Sequence, residues 1–256
     1  MDQFKLDSTI NKVIVDGTLK GYLQYLEERK EKKESMNVSG AYAWTKGNHI
    51  DDQISKIGKD IDVQFKIEKA GYTWEYLQFT VKQNAEDYML IVKNARRVVK
   101  SFSRNMHKPN EDNYLVGLAK DINTPIFKNR TRNFVDKPEQ IQLELNAPAE
   151  VNAVIEGTQL SVEHNYSRFY IVTYEIDDQT KLINSVQLTM PNAQTMNLEL
   201  IEDLSYLIQE SEYEVSPEDV EPIINEKVSN QTTFSGTANA FGYSVPEEEA
   251  EENSGN

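Results

Sequence analysis

Residues 38–81, VSGAYAWTKGNHIDDQISKIGKDIDVQFKIEKAGYTWEYLQFTV, hold both tryptophans of the chain, Trp44 and Trp74, and one of its three histidines, His49. The stretch reads as a loop, a short helix and two strands. Ile50, Ile54 and Ile57 form one helical stripe from about Lys46 to Lys59, and Gly58 is a natural stop. Ile61, Val63, Phe65 and Ile67 then alternate with Asp62, Gln64, Lys66 and Glu68, the period of a half-buried strand. Lys69-Ala70-Gly71 is a turn signal. In the strand that follows, Tyr72 to Val81, Leu77, Phe79 and Val81 share one face, and Tyr72, Trp74 and Tyr76 share the other. Apolar surface on both faces marks a strand inside a sheet.

Upstream, residues 8–35 read as a first helix. Val15, Leu19, Tyr22 and Leu26 fall on one face, beside Ile10 and Ile14. Gly17 and Gly21, four apart, leave a small-residue strip whose plain reading is close helix packing. Downstream, Tyr88 to Val92 is a third strand, completing an antiparallel meander. Tyr114, Leu115 and Leu118 suggest a short helix, and residues 123–165 read as irregular, with one short strand at Ile141 to Leu145. Phe169 to Ile176 and Leu182 to Met190 flank the turn Asp177-Asp178-Gln179-Thr180 as a second hairpin. Leu198, Ile201, Leu204, Leu207 and Ile208 predict a last helix over about 197–210. The expectation is an α+β domain over 1–210, followed by an acidic, disordered tail over 211–256 that ends in EEEAEE and NSGN.

Composition sets the outer limits. No run approaches the roughly 18 apolar residues of a membrane span. MDQFKLDSTI has neither the basic nor the apolar region of a signal peptide. The chain has no cysteine, which excludes disulfides, thiolate metal sites and a cysteine nucleophile. A cytoplasmic protein without membrane association is expected. The net charge of −15 is unevenly placed. Residues 1–137 carry 24 basic and 19 acidic side chains, whereas residues 138–256 carry 3 and 23. An acidic chain thus has a mildly basic front half that can meet phosphate.

Three groups of residues carry candidate chemistry. A helix followed by a strand hairpin with carboxylates is a layout that metal-dependent nuclease cores use, and here Asp60, Asp62, Glu68 and Glu75 are available, with Lys66 and Lys82 nearby. The carboxylate-x-Lys signature of such sites is missing, and solvated acids on an amphipathic sheet explain the pattern as well. His49 stands with Asp51 and Asp52 as possible acid–base machinery, and His49 and Asp52, three apart on one helix face, can pair. No nucleophile accompanies them, and His107 and His164 sit in unrelated contexts. Third, the segment Lys93 to Lys108 holds Lys93, Arg96, Arg97, Lys100, Arg104 and Lys108 and no acid. With Phe102 among them, these cations can neutralise phosphates and stack a base. The alternatives are a solvated face or a docking surface for the acidic tail. No motif names a reaction, and no cofactor or metal site is expected.

Taken in order, SGAYAWTKGNHIDDQI (39–54), AGYTWEYLQF (70–79), LIVKNAR (90–96), SRFYIVTYEID (167–177) and VQLTMPN (186–192) resemble a family of poorly characterised bacterial proteins described as ClpXP-sensitive toxins, paired with a helix-turn-helix repressor or antitoxin. The resemblance implies a growth inhibitor of a toxin–antitoxin or phage-defence pair, encoded on a mobile element or chromosome. Its implied partners are the repressor and the ClpXP protease. It assigns no catalytic residue. Within its first motif, Trp44, Lys46, Asn48, His49 and Asp52 are the residues expected to form a functional surface. An unfolding protease needs a loose end to engage, which the acidic tail would supply. The alternatives are a mobile-element nucleic-acid-binding protein without toxicity, and a divalent-metal nuclease.

Overall fold

In a computed structural model of the chain, residues 2–70, 74–107, 113–132 and 166–224 are described. Two helices open it, α1 (Ser8–Ser35) and α2 (Lys46–Ile57), the latter preceded by a 3-10 turn over Gly40–Trp44. The meander follows as β1 (Gln64–Ala70), β2 (Trp74–Gln83) and β3 (Glu86–Asn94). The chain continues through α3 (Ala95–His107), α4 (Tyr114–Leu118), a π-helical turn at Ala119–Asn123 and α5 (Thr124–Arg132). It returns as β4 (Arg168–Ile176), β5 (Ile183–Asn192) and β6 (Asn197–Asp203), and the described part closes with α6 (Pro217–Ile224). The class is α+β.

All six strands form one sheet in the order β1 to β6. Every neighbouring pair is antiparallel except β3 and β4, which run parallel at the centre. A parallel pair needs a crossover, and α3, α4 and α5 lie along it. One sheet face presents Phe79, Val81, Leu90, Val92, Tyr170, Val172 and Leu188 to the apolar stripe of α1 and α2. The other presents Tyr76, Met89, Ile91, Phe169 and Ile171 to Val98 and Phe102 of α3 and Leu115 and Leu118 of α4.

The glycine strip does what its spacing suggests. A Cβ at Gly17 would lie 2.5 Å from Ile54 Cγ1, and one at Gly21 would lie 2.5 Å from Ile50 Cα. The two helix backbones therefore touch, which only glycine allows.

Asn123 fills a gap in the sheet. Continuing the β4–β5 register from Ile171↔Thr189 sets Phe169 opposite Pro191, which has no N–H to donate. The fully buried Asn123 amide stands in: Oδ1 accepts from Phe169 N–H at 2.9 Å. Its Nδ2 donates to the carbonyls of Phe169 and Pro191 at 2.8 and 3.0 Å.

Several expectations are corrected. The first strand begins at Gln64 rather than Ile61, because Gly58–Ile61 forms a 3-10 turn capped by Asp62 in the left-handed region (φ 57°). It is an edge strand, with Phe65 and Ile67 43% and 63% exposed rather than half-buried. The helix expected over 197–210 is absent: 197–203 is β6, and Ser205–Ile208 is a 3-10 turn. Asn192 Oδ1 accepts from the N–H groups of Gln194 and Thr195, and Met196 has φ 55°. That turn returns the chain along β5, whose edge pairs with it, and ladder bonds override the helical spacing. The region expected to be irregular begins with α5, which runs on from the π-helical turn and carries Pro125 near its start. The expected tail begins too early, since α6 buries Val220 and Ile223 in the core. The expected strand at 141–145 and the tail from 225 onward lie outside the described residues.

Candidate functional site

The two sequence groups, more than 40 residues apart, meet at the carboxyl end of β3. Lys93 and Asn94 close that strand and α3 starts at Ala95, so the basic segment leaves the sheet where the central parallel pair ends. In open sheets this end is where ligands are held. Asn94 Oδ1 accepts from Arg97 N–H at 3.4 Å. Burial of Val98 and Phe102 fixes the helix rotation and turns Arg96, Arg97 and Lys100 to solvent.

Arg96 is held by the end of β4. Its Nη1 contacts both Asp178 oxygens at 2.6 Å, and its Nε donates to Glu175 at 3.3 Å. The guanidinium of Arg97 lies 5.4 Å above the ring centre of Trp44, which is 44% exposed. Lys93 Nζ sits 4.9 Å over the Tyr76 ring, itself 5.0 Å from Tyr114. Lys46 Nζ lies 5.0 and 5.6 Å over Tyr25 and Tyr22. Tyr22, Tyr25 and Tyr76 are buried, so the exposed cationic and aromatic surface is Trp44 of the Gly40–Trp44 turn with Arg97 and Lys100 of α3.

Two assignments change. Phe102 is 2% exposed and packs into the core, so it presents no stacking face; Trp44 does. His49 does not pair with Asp52. Its Nε2 meets Glu28 Oε2 of α1 at 2.5 Å, while Asp52 binds Lys56 at 2.6 Å. Contact at Gly21 turns the His49 edge of α2 toward α1, a rotation that helix spacing alone does not specify. Asn48 is exposed. Arg104 lies in α3, with its side chain outside the described ones.

Asp51, grouped with His49 and Asp52 as acid–base machinery, faces the sheet instead of His49. It is buried on α2 and accepts from Leu77 N–H of β2 at 3.2 Å. The β2–β3 pairing starts at Phe79↔Leu90, so at Leu77 the strands have parted and the carboxylate caps the spare donor. Burial pushes its pKa up to about 6, against the pull of the Lys93 charge and the Leu77 N–H. Its place three residues before Ile54, on the buried side of α2, sets it against the sheet.

The hairpin acids do not converge. Glu75 pairs with Lys69 at one end of β1–β2, Asp62 lies beyond the other end, and Glu68 is taken by Lys66. Among the described residues no three His, Asp or Glu side chains are placed to hold a metal ion, and no helix is long and apolar enough to cross a membrane. The chain matches no family model, no curated protein and no solved structure.

Proposed function

We propose that this chain binds single-stranded nucleic acid across the Trp44–Arg97–Lys100 surface, and that it inhibits growth as the toxin-like member of a toxin–antitoxin or phage-defence pair by occupying that nucleic acid. The observation that carries the binding half is the exposed Trp44 ring under the Arg97 guanidinium, with Lys100 on the same solvent-facing side of α3. An aromatic platform beside cations is the arrangement that holds single strands, stacking a base while neutralising phosphates. Lys46 and Lys93, each over a buried tyrosine ring, add further positive charge. The toxin half rests on the sequence resemblance, as do the repressor partner, ClpXP turnover and a cytoplasmic location. A metal-dependent nuclease has less support, because Glu68 and Glu75 are each tied to a lysine and Asp62 lies at the far end of the hairpin.

Binding is tested by fluorescence anisotropy with labelled RNA and DNA oligonucleotides over a salt series. Trp44→Ala is expected to weaken affinity about tenfold or more, the worth of one stacked base. Arg97→Ala and Lys100→Ala should each lower the salt slope by roughly 0.7. Absence of binding at low salt, or binding indifferent to Trp44→Ala, overturns the assignment. The toxin half is tested by induced expression in a host lacking ClpX, with and without a neighbouring repressor gene. Growth arrest relieved by the neighbour supports it; normal growth with well-accumulated protein removes it and leaves the binding role.

A further inference from the structure

The outer edge of β1 pairs with no strand among the described residues, and it carries the exposed side chains Phe65 and Ile67. Unpaired edges invite pairing unless they are blunted. The chemistry of this edge selects its partner.

The direction of its backbone groups follows from β2. The β2–β3 hairpin turns through Asn84 and Ala85, both with positive φ, so the flanking Gln83↔Glu86 pair is hydrogen-bonded. Odd-numbered residues of β2 therefore aim their N–H and C=O groups toward β3. Leu77, whose N–H reaches Asp51, follows that parity. Even-numbered residues of β2 face β1 and bond to their even-numbered partners Gln64, Lys66, Glu68 and Ala70. This leaves Phe65, Ile67 and Lys69 with outward-pointing donors and acceptors.

We infer that β1 pairs antiparallel with β1 of a second copy about a two-fold axis at Ile67, joining two six-stranded sheets into one. In this register Ile67 faces its own copy, Phe65 faces Lys69 and Gln64 faces Ala70. All seven residues are paired, and the outward groups of Phe65, Ile67 and Lys69 exchange the backbone bonds. Lys66, which pairs with Glu68 of its own strand at 2.6 Å, then also stands opposite Glu68 of the other copy, twice by symmetry, at the closely spaced non-hydrogen-bonded positions, so four charges alternate around the axis. Other registers of this parity are worse. An axis at Lys66 sets lysine against lysine, and one at Glu68 sets glutamate against glutamate. Isologous pairing closes on itself, so it gives a dimer rather than a fibre. The opposite edge, β6 (NLELIED), has three acids and no base, and so offers no opposite-charge pair to its own copy.

The test is the mass of the full chain in solution, by sedimentation equilibrium over a range of concentrations and salt. Wild type is expected to dimerise. Lys66→Glu is expected to weaken the dimer about tenfold or more. Adding Glu68→Lys to Lys66→Glu restores opposite charges across the axis and should restore the dimer. Ile67→Lys places two lysines across the axis and should give a monomer. Circular dichroism of each variant checks that the fold is kept; these side chains lie on an exposed edge strand. A monomeric wild type at every concentration overturns the inference. So does a dimer that survives Lys66→Glu and Ile67→Lys, or a double variant that fails to recover pairing.

Discussion

Replacing Gly21 by alanine sets two physical effects against each other with opposite signs. Gly21 lies in the interior of α1, where alanine in place of glycine favours the helix by about 1 kcal/mol. The new Cβ, however, would lie 2.5 Å from Ile50 Cα, 2.6 Å from the His49 carbonyl oxygen and 2.7 Å from Ile50 N. Ordinary contact is about 3.5–4.0 Å. Every one of these atoms is backbone, so no side chain can rotate away, and α2 must retreat by roughly 1 Å. That loosens the burial of Ile50 and Ile54 and lengthens the His49–Glu28 contact. Overpacking of this kind costs about 1–3 kcal/mol, and a rigid neighbour places it at the upper end. The net expectation is a loss of about 1–2 kcal/mol. Urea unfolding followed by circular dichroism reads it as a lower midpoint at unchanged slope. Gly47→Ala is the internal control: it lies in the first turn of α2, its Cβ would meet nothing within 4 Å, and it should raise the midpoint. Gly17→Ala should act like Gly21→Ala, and the double variant should cost less than the sum, since one displacement relieves both clashes. A Gly21→Ala midpoint at or above wild type would mean that α1 and α2 do not touch there, and would refute the packing argument.

Two further expectations come from buried polar groups. Asp51 has a folded pKa raised to about 6, so the folded state holds its proton more tightly than the unfolded chain does. Its contribution to stability therefore falls as pH rises from about 4 to about 6, and its ionisation costs roughly 3 kcal/mol at pH 7. Asp51→Asn keeps an acceptor for Leu77 N–H without the charge; it should raise the urea midpoint at pH 7.5 and make the variant–wild-type difference shrink toward pH 4, whereas a lower midpoint at pH 7.5 would show that the Lys93 charge outweighs burial. Asn123→Leu, close in volume, strips the bridge between Phe169 and Pro191 and leaves three backbone groups without partners. A loss of about 3–5 kcal/mol is expected, seen as a large drop in thermal midpoint, and a loss under about 1 kcal/mol would refute the bridging role.

How far the sequence could be read depends on the range of the interaction involved. α1, α2, the β1–β3 meander and the β4–β5 hairpin are each written in a few neighbouring residues, through apolar period or turn chemistry, and all are present. β6 was misread because Leu198, Ile201, Leu204, Leu207 and Ile208 fit a helix, while the bonds that settle the matter come from β5. α6 was missed because eight residues with three acids look solvated until α1 covers Val220 and Ile223. At the site, residue types were legible and partners were not. Trp44 and the α3 cations were singled out separately; their juxtaposition was not foreseen. His49 was paired with its helical neighbour, although its contact is Glu28, 21 positions away.

By itself, then, the sequence determined the local elements, the glycine contact strip, the segregation of charge and the residue types able to meet phosphate. These are one-dimensional properties, set by side-chain period and composition. Tertiary structure decided that β3 and β4 run side by side, that Arg97 lies over Trp44, that Asp51 caps a parted strand, and that β1 rather than β2 is an open edge. Each of those depends on closing a long loop of chain and on which backbone donors and acceptors are left over once the sheet has formed, quantities no local window contains.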